Sequence, residues 1–222
     1  RKIKRLMVTK RSHDQYQEGL TKIHLQHRAL HPEIATIEVF DKNLPNDAVH
    51  QGIALLTEPL PDAHMDECCT IIKGEKNLVI ILDQVTDPHN VGAIIRSAAA
   101  FGAKAIITTD RHSPPESGVL AKSASGALEA LPWVRVTNLS RALDQLATMG
   151  YWRVGLDGQA KQIIEEADFG DNIALVLGAE GKGIRKGTAD YCDGLVKLPI
   201  SRAIESLNVS NAAAIALYVF SA

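Results

Sequence analysis

The chain has 222 residues, 45% of them hydrophobic, and a formal net charge of −2. This length allows one or two domains with a real core, and near neutrality gives no overall sign of a nucleic-acid binder. No apolar run approaches the roughly 20 residues of a membrane span, and three cysteines (Cys68, Cys69, Cys192) make no disulfide framework, so a reducing, cytoplasmic compartment is expected.

The opening segment "RKIKRLMVTKR" holds Arg1, Lys2, Lys4, Arg5, Lys10 and Arg11 and no acid. A local basic face can bind phosphate on a neutral chain; the alternative is a strand edge guarded by lysine and arginine. A strand is expected over 3–8, a helix over 13–30, and strands over 36–40 and 52–57. Two prolines and several acids in "EPLPDAHMDECC" read as a linker. This first part is small for an independent domain, and its front edge looks cut off.

From residue 78 the pattern changes. "LVIIL" has the continuous apolar character of a strand buried on both faces. A helix is expected over 90–101, with Gly102 as its stop. Then come a strand over 105–108, a helix over 116–124, a strand over 133–136 and a helix over 140–149. Strands over 151–156, 172–178 and 195–200 and a final helix over 207–220 complete the chain. Such alternation means α/β with a mainly parallel sheet. Ligands of such sheets sit beyond the carboxyl ends of the strands, so the loops after Leu82, Thr108, Leu177 and Ile200 are the places to look for chemistry.

Three of these loops carry polar residues. The first opens the helix of "DPHNVGAIIRSAAAFGA", whose single charge is Arg96. Val91, Ile94, Ile95 and Ala98 form its apolar stripe. Gly92, Ala93, Ser97 and Ala100 lie on the Arg96 side, where small neutral residues suggest a packed partner subunit or ligand. Gly92 would leave room for a substrate, and Asn90 suits the N-cap. The second loop is "LGAEGKG", where Gly178, Gly181 and Gly183 surround Glu180 and permit close backbone approach. It matches neither a phosphate loop nor a dinucleotide fingerprint, and a plain structural turn is the alternative. The third, "LPISRAIESLNVSN", leads into a charge-free helix that reads as buried all round. Ser206 or Asn208 would cap it. The α/β part has no carboxylate pair, Cys–His pair or metal constellation. His24, His27 and His31 share helical spacing without another ligand type, so no metal is expected.

"NVGAIIRSAAAFGA", "LVLGAEGKGI" and "LPISRAIESLNVSNAAAIALY" resemble the three signature motifs of the SpoU/TrmH family of RNA 2′-O-ribose methyltransferases, within the SPOUT class. The match runs from about residue 76 to the end. The first part, ending in "VHQGIALLTEP", resembles the small ribosomal-protein-like RNA-binding domain of members that methylate a guanosine of large-subunit rRNA. The resemblance implies a substrate-binding domain over 1–60 with residues missing from its front, a linker over 61–75 and a catalytic domain over 76–222. It also implies a C-terminal deep trefoil knot, which ordinary connectivity rules disfavour, together with a homodimer and S-adenosylmethionine as methyl donor.

Family roles carried onto matching positions make Asn90, Arg96, Glu180, Ser206 and Asn208 catalytic. Leu177, Gly178, Leu198, Ile200 and Leu207 match the cofactor wall, with Thr108 and Gly126 beside them. Lys4, Arg5 and Arg11 would meet RNA phosphates. Arg202 and Ala203 stand where relatives often have a glycine, which bears on that loop's reach. A guanidinium hardly ever deprotonates, so Arg96 is expected to hold phosphate and stabilise a developing alkoxide. The proton would leave through water or indirectly through Glu180. The alternatives are a tRNA 2′-O-methyltransferase of the same family, an RNA-binding protein without chemistry, and a nucleotide-dependent dehydrogenase. The missing dinucleotide fingerprint weighs against the last.

Overall fold

Seven parallel strands form the main sheet, in the order Trp133–Val136, Ala105–Thr109, Asn77–Asp83, Asn172–Gly178, Trp152–Leu156, Gly194–Lys197 and Gln162–Ile163. The computed structural model describes residues 1–26, 30–46, 48–201 and 203–221. The chain divides into two compact units, Arg1–Pro61 and Asp62–Ala222.

The first unit carries β1 (Ile3–Val8), α1 (Lys10–Gln15), α2 (Gln17–Gln26), β2 (Pro32–Ile34), α3 (Ile37–Asn43) and β3 (Ile53–Thr57). β1 is central, parallel to β2 and antiparallel to β3. Leu6, Val8, Leu20 and Leu30 make its core. The single helix expected over 13–30 is two helices, broken at Tyr16. The strand expected over 36–40 is helical: Thr36 stands at its N-cap, and Glu38 and Lys42 match the helix ends in charge. Strand alternation would have buried Ile37 and Val39 together, yet of Ile37, Val39 and Phe40 only Phe40 is buried.

The second unit contains α4 (Met65–Cys68), β4 (Asn77–Asp83), α5 (Pro88–Ala100), β5 (Ala105–Thr109), α6 (Gly118–Ala124), β6 (Trp133–Val136) and α7 (Leu139–Met149). β7 (Trp152–Leu156), β8 (Gln162–Ile163), β9 (Asn172–Gly178), α8 (Lys186–Ala189), β10 (Gly194–Lys197) and α9 (Val209–Ser221) follow. All seven residues of β4 are buried, as a strand covered on both faces requires. Met65 and Cys69, in the stretch read as a linker, belong to the core with Val79, Ile107, Leu143 and Val176. All three cysteines are free. Burial pushes the Cys69 and Cys192 thiols up to about 12, so neither is a nucleophile at neutral pH.

Two strands differ from the expectation. The last strand ends at Lys197, so 198–200 are free of the ladder, and the two-residue β8 had no recognisable pattern. The final helix is not buried all round: Val209, Ala213, Ala216, Leu217 and Phe220 face inward, while Ile215 and Tyr218 are 43% and 64% exposed.

Helix α5 packs between α6 and α9. A Cβ on Gly92 would lie 2.6 Å from both the Leu120 carbonyl oxygen and the Ser123 Cβ. The small residue there serves helix contact, not a substrate, which corrects the sequence reading. Gly92→Ala should therefore overpack the α5–α6 seam and lower stability by about 1–3 kcal/mol, measurable as a fall in the urea midpoint.

Candidate active site

The carboxyl ends of β4 and β9 lie side by side, with Asp83 paired in register to Gly178. The chain leaves β4 toward α5 and β5 on one side and leaves β9 toward β10 on the other. This is a switch point, where such sheets open a crevice.

Asp87, not Asn90, caps α5: its side chain accepts from the His89 amide at 3.0 Å, and Pro88 stands at the first helical position. Asn90 is thus displaced into the first turn, only 8% exposed. Its Nδ2 donates to Glu180 Oε2 at 3.3 Å. Asn208 Nδ2 donates to Asn90 Oδ1 at 3.0 Å and to Glu180 Oε1 at 3.4 Å. A carboxylate accepts only, so both amides turn their NH₂ groups toward it. That leaves Asn208 Oδ1 to cap α9 by accepting from the Ser210 amide (2.9 Å) and hydroxyl (2.6 Å). One residue from each of the three sequence motifs thereby meets in a single hydrogen-bonded cluster.

The glycine loop after β9 is folded tightly. The Gly183 amide donates to the Ala179 carbonyl at 2.8 Å, and Gly181 and Gly183 have φ of +76° and +66°. A Cβ on Gly178 would lie 2.0 Å from the Gly183 carbonyl carbon. Beneath this loop the fully buried Asp83 carboxylate accepts from Arg185 Nε (2.7 Å) and from the residue 185 amide (3.0 Å). Sequence reasoning missed this pair, although an acid closing an all-apolar strand, as in "LVIILD", was a usable signal. Arg185→Ala would strand the buried carboxylate and should cost about 3 kcal/mol, read as a lowered melting temperature.

Two clefts flank Glu180. The first, of about 330 Å³, is lined by Leu177, Gly178, Leu198, Ile200, Ser206 and Leu207, with Asp157, Glu180 and Glu205 among the polar groups. The second, of about 310 Å³, is lined by Gln84, Asp87, Asn90, His112, Glu180 and Lys182, among others. Ser206 lies on the first cleft outside the amide–carboxylate cluster. Ala203 donates its amide to Ser201 Oγ at 3.1 Å; its neighbour Arg202 lies outside the described residues.

Several expected site residues stand elsewhere. Thr108 is fully buried and accepts from the Trp133 indole at 2.9 Å, so its hydroxyl is used in the core. Gly126, with φ +91°, starts a short 3₁₀ turn and lines neither cleft. Arg96 is exposed and also lines neither. Six residues beyond Asn90, it points about 240° around the helix from it.

In the first unit, Arg5 donates to the Glu33 carboxylate from Nε (3.0 Å) and Nη2 (2.7 Å), and to Asn43 Oδ1 from Nη1 (3.1 Å). The Arg5 hydrogen bonds hold the Glu33 carboxyl below its usual range. Arg5 therefore ties β1 to β2 and α3 and is not the free phosphate ligand it was expected to be. Lys4 pairs with Glu58 at 3.7 Å, and Arg11 is exposed. His24 Nδ1 donates to the Leu30 carbonyl (3.1 Å), and its ring lies 4.8 Å from that of His31; His27 lies outside the described residues. Among the described residues, no group of three or more His, Cys, Asp or Glu could hold a metal. No described helix is long and apolar enough to cross a membrane.

The model of the SpoU rRNA Methylase family matches residues 77–218. The 23S rRNA (guanosine-2′-O-)-methyltransferase RlmB of Coxiella burnetii is 37% identical over 219 residues, 98% of this chain and 86% of the relative. The RlmB of Ralstonia nicotianae is 45% identical over 170 residues, 76% of this chain and 68% of the relative. Among solved structures, the SpoU methyltransferase AviRb from Streptomyces viridochromogenes in complex with AdoMet superposes with a TM-score of 0.75 at 28% identity, covering 99% of this chain and 82% of that one.

Proposed function

The chain belongs to the SpoU rRNA methylase family, and from that premise we propose that it transfers a methyl group from S-adenosylmethionine to the ribose 2′-hydroxyl of a guanosine in 23S rRNA. The observation that carries this reading is the Asn90–Glu180–Asn208 cluster, set between two clefts that share Glu180. A transfer between two substrates needs two adjoining pockets. The similarity to two relatives named 23S rRNA (guanosine-2′-O-)-methyltransferase, over 86% and 68% of their lengths, favours rRNA over tRNA as substrate.

The first cleft suits the methyl donor. Its volume is in the range of small-molecule sites, its glycines leave backbone accessible, and Leu177, Leu198 and Leu207 offer apolar walls. Asp157, Glu180 and Glu205 supply negative charge for a ligand bearing a sulfonium and an ammonium. When bound, S-adenosylmethionine supplies a methyl group activated by its sulfonium charge. The chain's own task is alignment: Asn90 and Asn208 fix the Glu180 carboxylate, which accepts a hydrogen bond from the 2′-hydroxyl and orients its oxygen. Ser206 lines the same cleft as Glu180, and in this reading its hydroxyl joins the grip on the substrate. Arg96 grips phosphate and stabilises the negative charge that develops on oxygen; the proton passes to water or to Glu180.

The reading includes a homodimer. Its support is the exposed apolar face of α9, Ile215 and Tyr218, with Phe101 at the end of α5 edge-on to Tyr218 at 6.1 Å. A face of this kind on a charge-free helix is what a partner covers. It also includes the trefoil knot, supported by β9 lying between β4 and β7 with β10 beyond, after which α9 returns to pack on α5. Residues 1–60 act as the RNA-binding domain, with Lys2, Lys10 and Arg11 exposed for phosphate; the catalytic domain follows, and Met65 and Cys69 of the joining stretch pack in its core. The location is cytoplasmic, since the substrate is ribosomal RNA.

The test uses labelled S-adenosylmethionine and an unmodified 23S rRNA transcript. A 2′-O-methyl group removes the nucleophile for alkaline cleavage of the next phosphodiester. Label should appear in an alkali-resistant dinucleotide that begins with guanosine. Label confined to alkali-labile mononucleotides, or to tRNA, would contradict the reading.

A further inference from the structure

The second cleft carries side chains for which the chemistry above has no use. Gln84, in the loop after β4, and His112, in the loop after β5, have φ of +61° and +63°. Glycine would hold either turn without strain, yet two larger side chains are held in this sparsely populated region, and both line the same cleft. Gln84 is half-buried, and its carboxamide hydrogen-bonds to none of the described residues. The His112 loop also buries the Ser113 hydroxyl without a partner among the described residues. A buried polar group without a partner calls for an explanation, and a ligand or an ordered water is one. Asp87 adds a half-used carboxylate: Oδ1 caps the His89 amide at 3.0 Å, and Oδ2 stays available at the cleft.

We propose that this cleft receives the acceptor guanosine as a splayed-out nucleotide and that Gln84 and Asp87 read its base. The inference rests on the function proposed above and adds the residues that select the acceptor. Guanine presents an acceptor, O6, beside the N1–H donor, and a carboxamide offers the matching donor and acceptor side by side. The same carboxamide, turned over, would also match adenine. Asp87 breaks that tie, because its free oxygen accepts from the 2-amino group, which adenine and hypoxanthine lack. Lys182, on the rim, meets the adjoining phosphate. Glu180, common to both clefts, then lies where ribose and methyl donor meet.

The test compares transcripts of 23S rRNA with guanosine or inosine at the mapped methylation position, using the full chain. Gln84→Gly keeps the left-handed turn and removes only the carboxamide. It should leave the melting temperature and S-adenosylmethionine affinity unchanged and raise KM for RNA about tenfold or more. Asp87→Asn keeps the helix cap. The wild type should prefer guanosine to inosine by about tenfold, and Asp87→Asn should treat the two alike. Unchanged RNA kinetics in Gln84→Gly, or an unchanged guanosine preference in Asp87→Asn, would overturn the inference while the methyltransferase reading stands. A wild type that transfers no label would overturn that reading and the inference with it.

Discussion

Arg96→Ala should lower methyl transfer to 23S rRNA by about 10²–10³-fold, the usual loss when one donor to a developing oxyanion is removed, while S-adenosylmethionine binding stays within threefold. The second half follows from position: Arg96 lines neither cleft of its own chain, and Asn90 faces Glu180 from the other side of α5. In the proposed homodimer Arg96 therefore serves its partner's cleft. This has a distinctive consequence. Arg96→Ala and Glu180→Gln subunits, each inactive alone, should complement when mixed. Half of randomly assorted dimers are mixed, each with one complete site, so about a quarter of wild-type activity should return. An arginine acting within its own chain would give no recovery. Arg96→Lys should recover little, because a point charge cannot reproduce a two-pronged grip on phosphate.

Gly178→Ala should weaken S-adenosylmethionine binding by about ten- to a hundredfold, since forcing a side chain into a packed loop costs about 1–3 kcal/mol and every 1.4 kcal/mol is about tenfold in affinity. The reason is contact rather than backbone freedom. The new Cβ would sit 2.0 Å from the Gly183 carbonyl carbon and 2.2 Å from the Ile184 nitrogen, so the loop must open. Opening it breaks the Gly183–Ala179 hydrogen bond and moves Glu180 away from Asn90 and Asn208. Isothermal titration with the cofactor measures the loss directly. Cofactor affinity equal to the wild type would show that the loop does not form the donor site.

The strand ends that hold the site were legible because a buried parallel strand announces itself as an apolar run. Glycines and polar residues beyond such runs fall, by topology, on one edge of the sheet. Sequence order alone did not tell that β9 inserts between β4 and β7, because the pairing of parallel strands leaves no local periodicity. "TIEVF" misled because its alternation spans only five residues, too few to separate period 2 from period 3.6. The neutral side of α5 suggested a ligand or a partner; at Gly92 the occupant is α6, a contact only three dimensions reveal. Thr108 and Arg5 illustrate a related failure. A polar residue at a promising place is open to a ligand only if its hydrogen bonds are not already spent, and theirs are, on Trp133 and on Glu33 and Asn43. Asp83 was the converse, an acid ending an apolar run whose burial demanded a partner, found in Arg185.

The central claim is that Glu180, held by Asn90 and Asn208, is where methyl donor and acceptor ribose meet. Single-turnover methyl transfer to 23S rRNA by Glu180→Gln, with cofactor affinity measured alongside, tests it most directly. An amide of the same shape keeps the cleft but loses the carboxylate that orients the hydroxyl. The account predicts a rate lower by about a hundredfold or more, with S-adenosylmethionine affinity within tenfold of the wild type. A rate equal to the wild type would show that the cluster is only a structural tie between α5, the glycine loop and α9, and that the chemistry lies elsewhere.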